Sequence, residues 1–278
     1  MNTQPGSGAP LRMLINGQPG TQVSALDRGL QYGDGLFETL RWELGRLRWF
    51  ERHLARLVLG CERLGIPLPE PKLLRAEAES LAQGLSRALV KIIVTRGAAT
   101  VRGYRPGGDE QPTRIVAAYD WPPMQEVEFR VGLSSVRVNS NPQLAGLKHL
   151  NRLEQVLAQR AAAYSGLHEV LMCSADGAVV CGSMSNLFVW QGDELLTPAP
   201  GKCAVAGVMR SLLIEAAPRL GLRVRQASLS AAELAAARAI ILTNVRLGLQ
   251  PVHWYEGRRL EVDPRGARLQ ELIDGTAE

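Results

Sequence analysis

Two consecutive prolines near the middle of the chain constrain the fold more than any other feature of the sequence. Neither a helix nor a strand continues through Trp121-Pro122-Pro123-Met124, because proline lacks a backbone N–H and restricts the residue before it. The pattern before this run alternates strands and helices, and the pattern after it is richer in strands. We therefore predict an α+β protein with a smaller domain over 11–120, a linker over 121–125 and a larger domain over 126–278.

The period of the apolar residues predicts the elements within each half. In the first half we predict strands over 11–16, 37–42, 46–50, 88–95 and 114–119, and helices around 54–64 and from Pro71. In the second half we predict a strand over 127–138, a helix over 150–164, a meander of four strands over 169–196, a helix from Gly207, a strand over 239–243 and a final helix from Asp263.

The N-terminus and the charge of the chain bear on its location and partners. Residues 1–10 are polar and rich in proline and glycine, so we expect a disordered leader and not a signal peptide. No apolar run approaches the roughly 18 residues that cross a bilayer, so we expect a cytoplasmic protein without a membrane partner. The arginines behind the net charge of +5 are spread along the chain. An arginine-rich nucleic-acid-binding protein is therefore only the alternative from another class.

Lysine, cysteine and histidine limit the chemistry that is available. Only four lysines occur, Lys72, Lys91, Lys148 and Lys202, so any lysine chemistry has few candidates. The four cysteines form no CxxC pair and the four histidines are scattered, so we predict no metal site. Lys148 precedes an amphipathic helix, where a lysine is ordinarily a surface residue. It becomes a nucleophile only where burial or neighbouring charge lowers its pKa.

Five segments of the chain occur in a characteristic order. They are Asp27–Thr39 (DRGLQYGDGLFET), His53–Leu57 (HLARL), Lys148 with Asn151, Ser185–Phe188 (SNLF) and Gly207–Arg210 (GVMR). Together they resemble the fold-type-IV pyridoxal-phosphate enzymes, also called class IV aminotransferases. The resemblance runs from residue 13 to the end of the chain. It implies the two-domain fold of the branched-chain aminotransferases, pyridoxal 5'-phosphate as cofactor, a small-molecule substrate and a homodimer.

The resemblance also assigns roles to residues that bind the cofactor. It makes Lys148 the residue that holds the cofactor covalently and acts as catalytic base, with Thr39 next to Lys148 or next to the leaving oxygen. For the cofactor phosphate it implies Arg56, whose guanidinium suits phosphate oxygens, and the N–H groups of Gly207 and Val208 at a helix start. Without the motifs, Arg56 would be a helix-surface arginine and Gly207 a turn glycine.

The remaining candidates complete the phosphate site and contact the substrate. Asn244, in Thr243-Asn244-Val245 at a strand end, is expected to complete the phosphate site. Arg102 and Tyr104 are expected to meet a substrate carboxylate, and a solvated loop is the alternative. Phe37, inside the first motif, is expected to contact the substrate.

Within the family, Gly146–Val156 (GLKHLNRLEQV) resembles the aminodeoxychorismate lyases more than the transaminases. Thr39 and the pair Arg96-Gly97 followed by Arg102-Gly103-Tyr104 resemble them too. This implies a lyase that converts 4-amino-4-deoxychorismate to 4-aminobenzoate and pyruvate, in folate biosynthesis. The alternative is a transaminase of the same fold, acting on branched-chain or D-amino acids.

One position departs from the family pattern. Cys181 stands five residues before Asn186, where the family usually has a glutamate that pairs with the pyridine nitrogen. A thiol substitutes poorly for a carboxylate, so the ring is a weaker electron sink. This disfavours a transaminase more than a lyase whose product becomes aromatic. Alternatively, Cys181 is a small buried core residue.

Overall fold

The computed structural model describes residues 9–121, 127–201 and 203–276. Its residues divide into two compact units. The first holds the described residues up to 121 together with Leu147–Asn151, and the second holds 127–146 and 152–276. Most of the predicted leader and all but Trp121 of the predicted linker lie outside the described residues, so both remain predictions.

The first unit, within the described residues, consists of one antiparallel sheet and three helices. The strands are β1 (Arg12–Ile15), β2 (Gln18–Pro19), β3 (Gly35–Glu43), β4 (Arg46–Leu47), β5 (Arg87–Thr95) and β6 (Thr113–Asp120), in the order β2-β1-β6-β5-β3-β4. The helices are α1 (Arg28–Tyr32), α2 (Phe50–Leu64) and α3 (Pro71–Ala82).

The two faces of this sheet differ because side chains alternate along a strand. On one face, Leu36, Leu40 and Ile92 belong to a buried core that includes Leu57 of α2 and Leu74 of α3. The other face therefore presents the alternate residues of β3 and β5. It is this second face that carries the sequence-predicted residues Phe37 and Thr39.

The second unit is built on two five-stranded sheets within the described residues. Its strands are β7 (Arg130–Val138), β8 (Glu169–Ser174), β9 (Val179–Gly182), β10 (Asn186–Gln191), β11 (Glu194–Thr197), β12 (Arg223–Gln226), β13 (Ile240–Asn244), β14 (Gly248–Pro251), β15 (Trp254–Tyr255) and β16 (Arg258–Arg259). Its helices are α4 (Leu153–Tyr164), α5 (Val208–Ala216), α6 (Ala231–Ala236) and α7 (Arg265–Asp274), with a 3-10 turn at Ala217–Leu220. The sheet orders are β12-β11-β10-β13-β14 and β16-β15-β7-β8-β9. The predicted α+β class is confirmed.

The predicted meander over 169–196 is wrong. Strands β8 and β9 form a hairpin in one sheet, whereas β10 and β11 form a hairpin in the other. The chain changes sheet at Ser183–Ser185, where the buried carboxylate of Glu169 accepts hydrogen bonds from the backbone N–H groups of Ser183 and Met184. Local alternation of apolar residues carries no information about this change of partner.

Two predicted boundaries are also wrong. The strand expected over 46–50 ends at Leu47, and Phe50 already begins α2. The helix expected over 150–164 begins only at Leu153, because the backbone N–H of Leu150 donates to the carbonyl of Gly35 at 3.0 Å. Tertiary pairing with a strand overrides the helical period here. In the described part of the chain, no helix has the length and apolar character to span a membrane.

Candidate active site

Lys148 lies on a short segment that extends the edge of the first unit's sheet. The backbone N–H of Phe37 donates to the carbonyl of Lys148 at 2.9 Å, and Leu36 pairs with His149 in an antiparallel bridge. Next to it, Leu147 is buried in the core of the first unit. The backbone of Lys148 is therefore fixed by its pairing with β3 on one side and by the buried Leu147 next to it. A fixed backbone suits a residue that is expected to react through its side chain.

Asn151 anchors the far end of the same segment. Its Nδ2 donates to the carbonyl of Gly33 at 3.1 Å. Gly33 ends α1 with a φ of 68°, and a Cβ at this position would lie 2.4 Å from Asn151 Oδ1. This close approach explains why a glycine stands here in the first motif and an asparagine three residues after Lys148.

The side chain of Lys148 lies on the aromatic ring of Phe37. Its Nζ is 4.3 Å from the ring centroid, and both side chains are half-buried. Because Phe37 and Lys148 are directly opposite each other, both project from the face away from the helices. The structure thus brings together two residues that the sequence analysis singled out for different roles.

A second lysine, which the sequence analysis left without a role, shares this ring. Lys91 of β5 has its Nζ 5.0 Å from the centroid of Phe37. Burial lowers the pKa of Lys91. The available signal was its position as the one charged residue in the otherwise apolar run Ala88–Val94.

Thr39 is placed on the same face by strand register. It lies directly opposite Lys91, and Phe37 lies opposite Ile93. Thr39 is thus a diagonal neighbour of Lys148, within reach of a long side chain. Its predicted contact with Lys148 or with the leaving oxygen remains a prediction.

Arg56 is held by a carboxylate. Its Nε donates to Glu38 Oε1 at 2.8 Å and its Nη2 to Glu38 Oε2 at 2.5 Å. His53, one turn earlier on α2, places Nδ1 2.7 Å from Glu38 Oε2. A guanidinium carries five N–H donors, and this pairing engages only one edge of it. The predicted contact of Arg56 with phosphate remains a prediction, and Glu38 and His53 are residues to which the sequence analysis gave no role.

The charges of this triad follow from burial and pairing. Burial acts to raise the pKa of Glu38, but the charge and hydrogen bonds of Arg56 and the hydrogen bond of His53 outweigh it, and the pKa falls to about 2. Burial lowers the pKa of His53 against the opposing effect of Glu38, and Arg56 and Lys148 lower it further. His53 is therefore neutral at neutral pH. Its buried Nε2 has no hydrogen-bond partner among the described residues.

The backbone of the loop that carries Arg102 and Tyr104 is held by hydrogen bonds from Arg28. The buried Arg28 guanidinium donates to the carbonyls of Gly103 at 3.0 Å and Tyr104 at 2.7 Å, and to Asp34 at 2.9 Å. The side chain of Arg102 remains exposed, and that of Tyr104 is 85 % exposed. Arg28 stands in the first motif, which was the available signal for this positioning role.

In the second unit, helix α5 begins without a side-chain cap. Gly207 is its N-cap residue, and Val208 is the first residue of the helix. A Cβ at Gly207 would lie 2.0 Å from Asn186 Oδ1, so only glycine fits against that side chain. The uncapped N–H groups at a helix start favour an anion.

The end of β13 carries a polar residue, Thr243, next to Asn186 of β10 in the same sheet. Register places Thr243 opposite Asn186, which packs against Gly207. The buried Thr243 Oγ1 has no hydrogen-bond partner among the described residues. Asn244 already uses its amide, with Nδ2 donating to the carbonyl of Met184 at 3.0 Å and Oδ1 accepting from Leu247 N at 2.7 Å. The predicted contact of Asn244 with phosphate remains a prediction. The hydroxyl of Thr243 is the group at this strand end that has no hydrogen-bond partner among the described residues.

Cys181 is buried and neutral. Burial, with the neighbouring Cys203 and Glu169, raises the pKa of its thiol to about 12. Glu169 does not replace the usual glutamate, because its carboxylate is saturated. It accepts from Ser183 and Met184 N–H at 3.1 Å each, from Ser185 Oγ at 3.0 Å, and from the side chains of Gln159 and Ser183.

These residues fit pyridoxal phosphate, each unit considered by itself. In the first unit, a backbone-fixed lysine amine lies on an aromatic ring in half-buried surroundings. In the second unit, three features suit a phosphate: the uncapped start of α5, Gly207 without room for a Cβ, and the hydroxyl of Thr243, which has no hydrogen-bond partner among the described residues. The position at which the family usually has a glutamate holds the neutral thiol of Cys181 instead.

Comparisons with known proteins agree with this arrangement. The sequence model of the family described as Amino-transferase class IV matches residues 35–255. An aminodeoxychorismate lyase of Vibrio harveyi is 31 % identical over 265 residues, covering 94 % of this chain and 97 % of the relative. A D-alanine aminotransferase of Listeria innocua is 25 % identical over 255 residues, covering 90 % of this chain and 88 % of the relative.

Solved structures resemble the chain over nearly its whole length. The crystal structure of 4-amino-4-deoxychorismate lyase from Pseudomonas aeruginosa has a TM-score of 0.87 and 40 % identity, and covers 95 % of this chain and 98 % of that one. The branched-chain amino acid aminotransferase of Escherichia coli has a TM-score of 0.87 at 22 % identity, with coverage of 96 % and 94 %, and shows the shared fold. The predicted fold is confirmed, and the chain belongs to the class IV aminotransferase family.

Proposed function

We propose that this chain is a pyridoxal-phosphate-dependent lyase that converts 4-amino-4-deoxychorismate to 4-aminobenzoate and pyruvate, a step of folate biosynthesis. The observation that carries the proposal is the amine of Lys148, which lies on the ring of Phe37 and belongs to a backbone segment held by hydrogen bonds. Two aminodeoxychorismate lyases support the proposal, because they are 31 % and 40 % identical to this chain over almost all of its length. The lyase class and the cofactor predicted from the sequence are confirmed at this level.

The roles of the cofactor-binding residues form part of the proposal. Pyridoxal phosphate, when bound, supplies an aldehyde that joins to amines and a ring that accepts electrons. Lys148 holds the cofactor through its amine. Arg56 of the first unit, fixed by Glu38, is assigned to the phosphate. In the second unit, the N–H groups of Gly207 and Val208, the hydroxyl of Thr243 and the Asn244 region are assigned to the phosphate as well.

Lys148 also moves the proton of the reaction. Once the substrate amine has displaced it from the cofactor, the freed amine of Lys148 removes the proton from the substrate carbon that bears nitrogen. The bond between the ring and the ether oxygen then breaks, the ring becomes aromatic, and the three-carbon group gains a proton and leaves as pyruvate. Substrate and products balance without an oxidant or a second substrate. The hydroxyl of Thr39 hydrogen-bonds Lys148 or the leaving oxygen.

Arg102, Tyr104 and Phe37 are proposed to contact the substrate. The exposed guanidinium of Arg102 suits a carboxylate, and Arg28 fixes the backbone of the loop that presents it. The ring of Phe37 lies directly at the Lys148 amine and forms part of the surface on which a substrate ring would pack.

The neutral thiol of Cys181 favours the lyase over a transaminase. With a pKa of about 12, the thiol gives the pyridine nitrogen no anionic partner. A transaminase depends on the ring to stabilise charge through two half-reactions. A lyase is driven forward by the aromatic product and needs this stabilisation less.

We further propose a cytoplasmic homodimer. Apolar residues are exposed on α1 and on the segments next to it, including Leu26, Leu30, Val101 and Tyr104. The backbone joins these segments, since Ala99 N donates to the carbonyl of Leu26 at 2.8 Å. Exposed apolar residues on adjoining segments are typical of an interaction site, and a second copy of this chain would cover them.

The test of the proposed function is pyruvate release without an added keto acid. Purified protein loaded with pyridoxal phosphate is given 4-amino-4-deoxychorismate, and pyruvate and 4-aminobenzoate are quantified. Equal amounts of the two products, absent in Lys148→Ala, are expected. Amino-group transfer from D-alanine or a branched-chain amino acid to a keto acid, with no 4-aminobenzoate formed, would instead assign the chain to the transaminases.

A further inference from the structure

We propose that Lys91 binds a carboxylate of the substrate and is a specificity-determining residue for dicarboxylate substrates of this enzyme. The inference rests on the proposed function, because that function supplies a substrate with two carboxylates, one on the ring and one on the enolpyruvyl group. Nothing in the sequence motifs assigns a role to this lysine.

The position of Lys91 relative to Lys148 is the first observation. Their amines lie 5.0 Å and 4.3 Å from the centroid of the same Phe37 ring. The two nitrogens are therefore no farther apart than the sum of these distances. Lys91 also lies directly opposite Thr39 on the adjacent strand. A substrate that contacts Phe37, as proposed above, would therefore lie near both amines.

The electrostatic surroundings of Lys91 are the second observation. Among the described residues, no acidic side chain acts on Lys91, and burial alone lowers its pKa. Its register partners across the sheet are Thr39 and Ala117, and its neighbours on the same face of β5 are Leu89 and Ile93. A half-buried ammonium group without a counter-ion is costly for a folded protein. An anionic ligand would offset that cost.

The three cations Lys148, Arg102 and Lys91 differ in their availability for a carboxylate and in how firmly the fold holds them. Lys148 is committed to covalent chemistry, so its charge is not available to hold a carboxylate. Arg102 lies on an exposed loop, whereas Lys91 lies in the middle of a strand in a rigid sheet. A cation fixed in a sheet can define the position of one carboxylate relative to the reacting carbon. Two carboxylates on the substrate thus have two separate cations to contact.

The inference is tested with Lys91→Met, which keeps an unbranched side chain only one atom shorter and removes its charge. Lys72→Met is the matched control, because Lys72 is exposed on α3. Chorismate serves as the probe, since it carries both carboxylates but has a hydroxyl where the substrate has the amine. Its dissociation constant is measured by calorimetry on cofactor-loaded protein, together with KM and kcat for pyruvate release.

Loss of a hydrogen bond to a charged group should weaken chorismate binding about tenfold to one hundredfold in Lys91→Met. KM should rise by a similar factor, and Lys72→Met should match the wild type. Lys91→Arg should restore part of the affinity. The melting temperature of Lys91→Met should be equal to or above that of the wild type, because an unpaired ammonium group has been removed. A purely structural role would lower the melting temperature and leave KM unchanged.

The 4-aminobenzoate product identifies the carboxylate. If Lys91→Met weakens 4-aminobenzoate and chorismate alike, Lys91 binds the ring carboxylate; if it weakens only chorismate, Lys91 binds the enolpyruvyl carboxylate. Unchanged chorismate affinity and unchanged KM in an active enzyme would overturn the inference and leave the proposed function intact. Wild-type protein that binds chorismate through Lys91 but releases no pyruvate would overturn the proposed function alone.

Discussion

The carboxylate of Glu38 holds the guanidinium of Arg56 by two hydrogen bonds, from Nε at 2.8 Å and from Nη2 at 2.5 Å. Glu38 lies on β3 and Arg56 on α2, so the pair ties the helix to the sheet. The neutral His53 adds a third contact to the same carboxylate. An arginine held in this way has one preset orientation, and it can bind a phosphate with little further loss of conformational freedom.

The first prediction concerns the pH dependence of stability through Glu38. Its pKa falls from an ordinary 4.5 to about 2 in the folded chain. A carboxyl with a depressed folded pKa stabilises above the unfolded value, and this contribution is lost as the pH falls from about 4.5 to about 2. A shift of this size corresponds to about 3 kcal/mol. Because pH 3 still lies above the folded pKa, urea unfolding at pH 6 and pH 3 should show about 2 kcal/mol of this loss in the wild type and a much smaller loss in Glu38→Gln.

The control for this experiment is Glu51→Gln on the same helix as Arg56. Glu51 pairs with Arg75, but both side chains are largely solvated. Exposed ion pairs contribute little to stability, so this variant should keep the pH dependence of the wild type. An equal pH dependence in Glu38→Gln and the wild type would refute the depressed pKa.

The second prediction concerns Arg56 and the cofactor. Arg56→Ala should weaken pyridoxal-phosphate binding by about 1.5–3 kcal/mol, because a charge-assisted contact to phosphate is lost. Turnover at saturating cofactor should change less than the affinity. Titration of the apoenzyme measures the effect, and Arg63→Ala, at an exposed position of the same helix, is the control. Unchanged affinity would return Arg56 to a purely structural pair with Glu38.

The motifs could single out Lys148 and Arg56 as candidates because each residue stands within a short run of residues that resembles the family. They could not indicate that Lys91 lies on the same ring as Lys148, because that depends on the pairing of β3 with β5 and with the segment that contains Lys148. The helix start at Leu153 was missed for the same reason, since the backbone at Leu150 pairs with Gly35. Contacts between distant parts of the chain leave no periodic signal in the sequence.

The second unit shows the same limit in its polar groups. Sequence resemblance indicated a phosphate site near Thr243-Asn244, but it could not say which side chain was already occupied. The structure commits the amide of Asn244 to Met184 and Leu247 and leaves the hydroxyl of Thr243 without a partner among the described residues. Hydrogen-bond satisfaction depends on the fold and cannot be read from residue type alone.

The third prediction concerns the covalent lysine. Lys148→Ala should lose both turnover and the visible absorption band of covalently bound cofactor. In the wild type, borohydride reduction followed by peptide mapping should place the label on Lys148. Lys91 is the most informative alternative, because it faces the same ring and burial lowers its pKa. A label on Lys91 in the wild type would show the assignment to be wrong.

The fourth prediction concerns Arg28 and the substrate loop. Arg28→Lys removes the fork that binds the carbonyls of Gly103 and Tyr104. The loop should become less ordered, which should raise KM severalfold with little effect on the absorption spectrum, and should speed its cleavage by trypsin. Arg105→Lys, at an exposed position of the same loop, is the control. Normal KM and normal cleavage in Arg28→Lys would remove the positioning role.

The last prediction concerns Cys181, the position at which the chain departs from its family. Cys181 is buried, and Glu169 and Glu154 act on it with negative charge while Arg152 opposes them. Cys181→Glu therefore buries a carboxylate among like charges, and the apoenzyme should lose stability by several kcal/mol.

A pyridinium nitrogen would supply the missing partner for the carboxylate that Cys181→Glu introduces. Cofactor loading should therefore raise the melting temperature of Cys181→Glu more than that of the wild type. The restored ion pair should also strengthen the ring as an electron acceptor and produce a slow transamination, with little change in the lyase rate. Cys181→Gln, similar in size but uncharged, should show neither effect. A destabilised Cys181→Glu that gains nothing from the cofactor and no transamination would identify Cys181 as a buried core residue only.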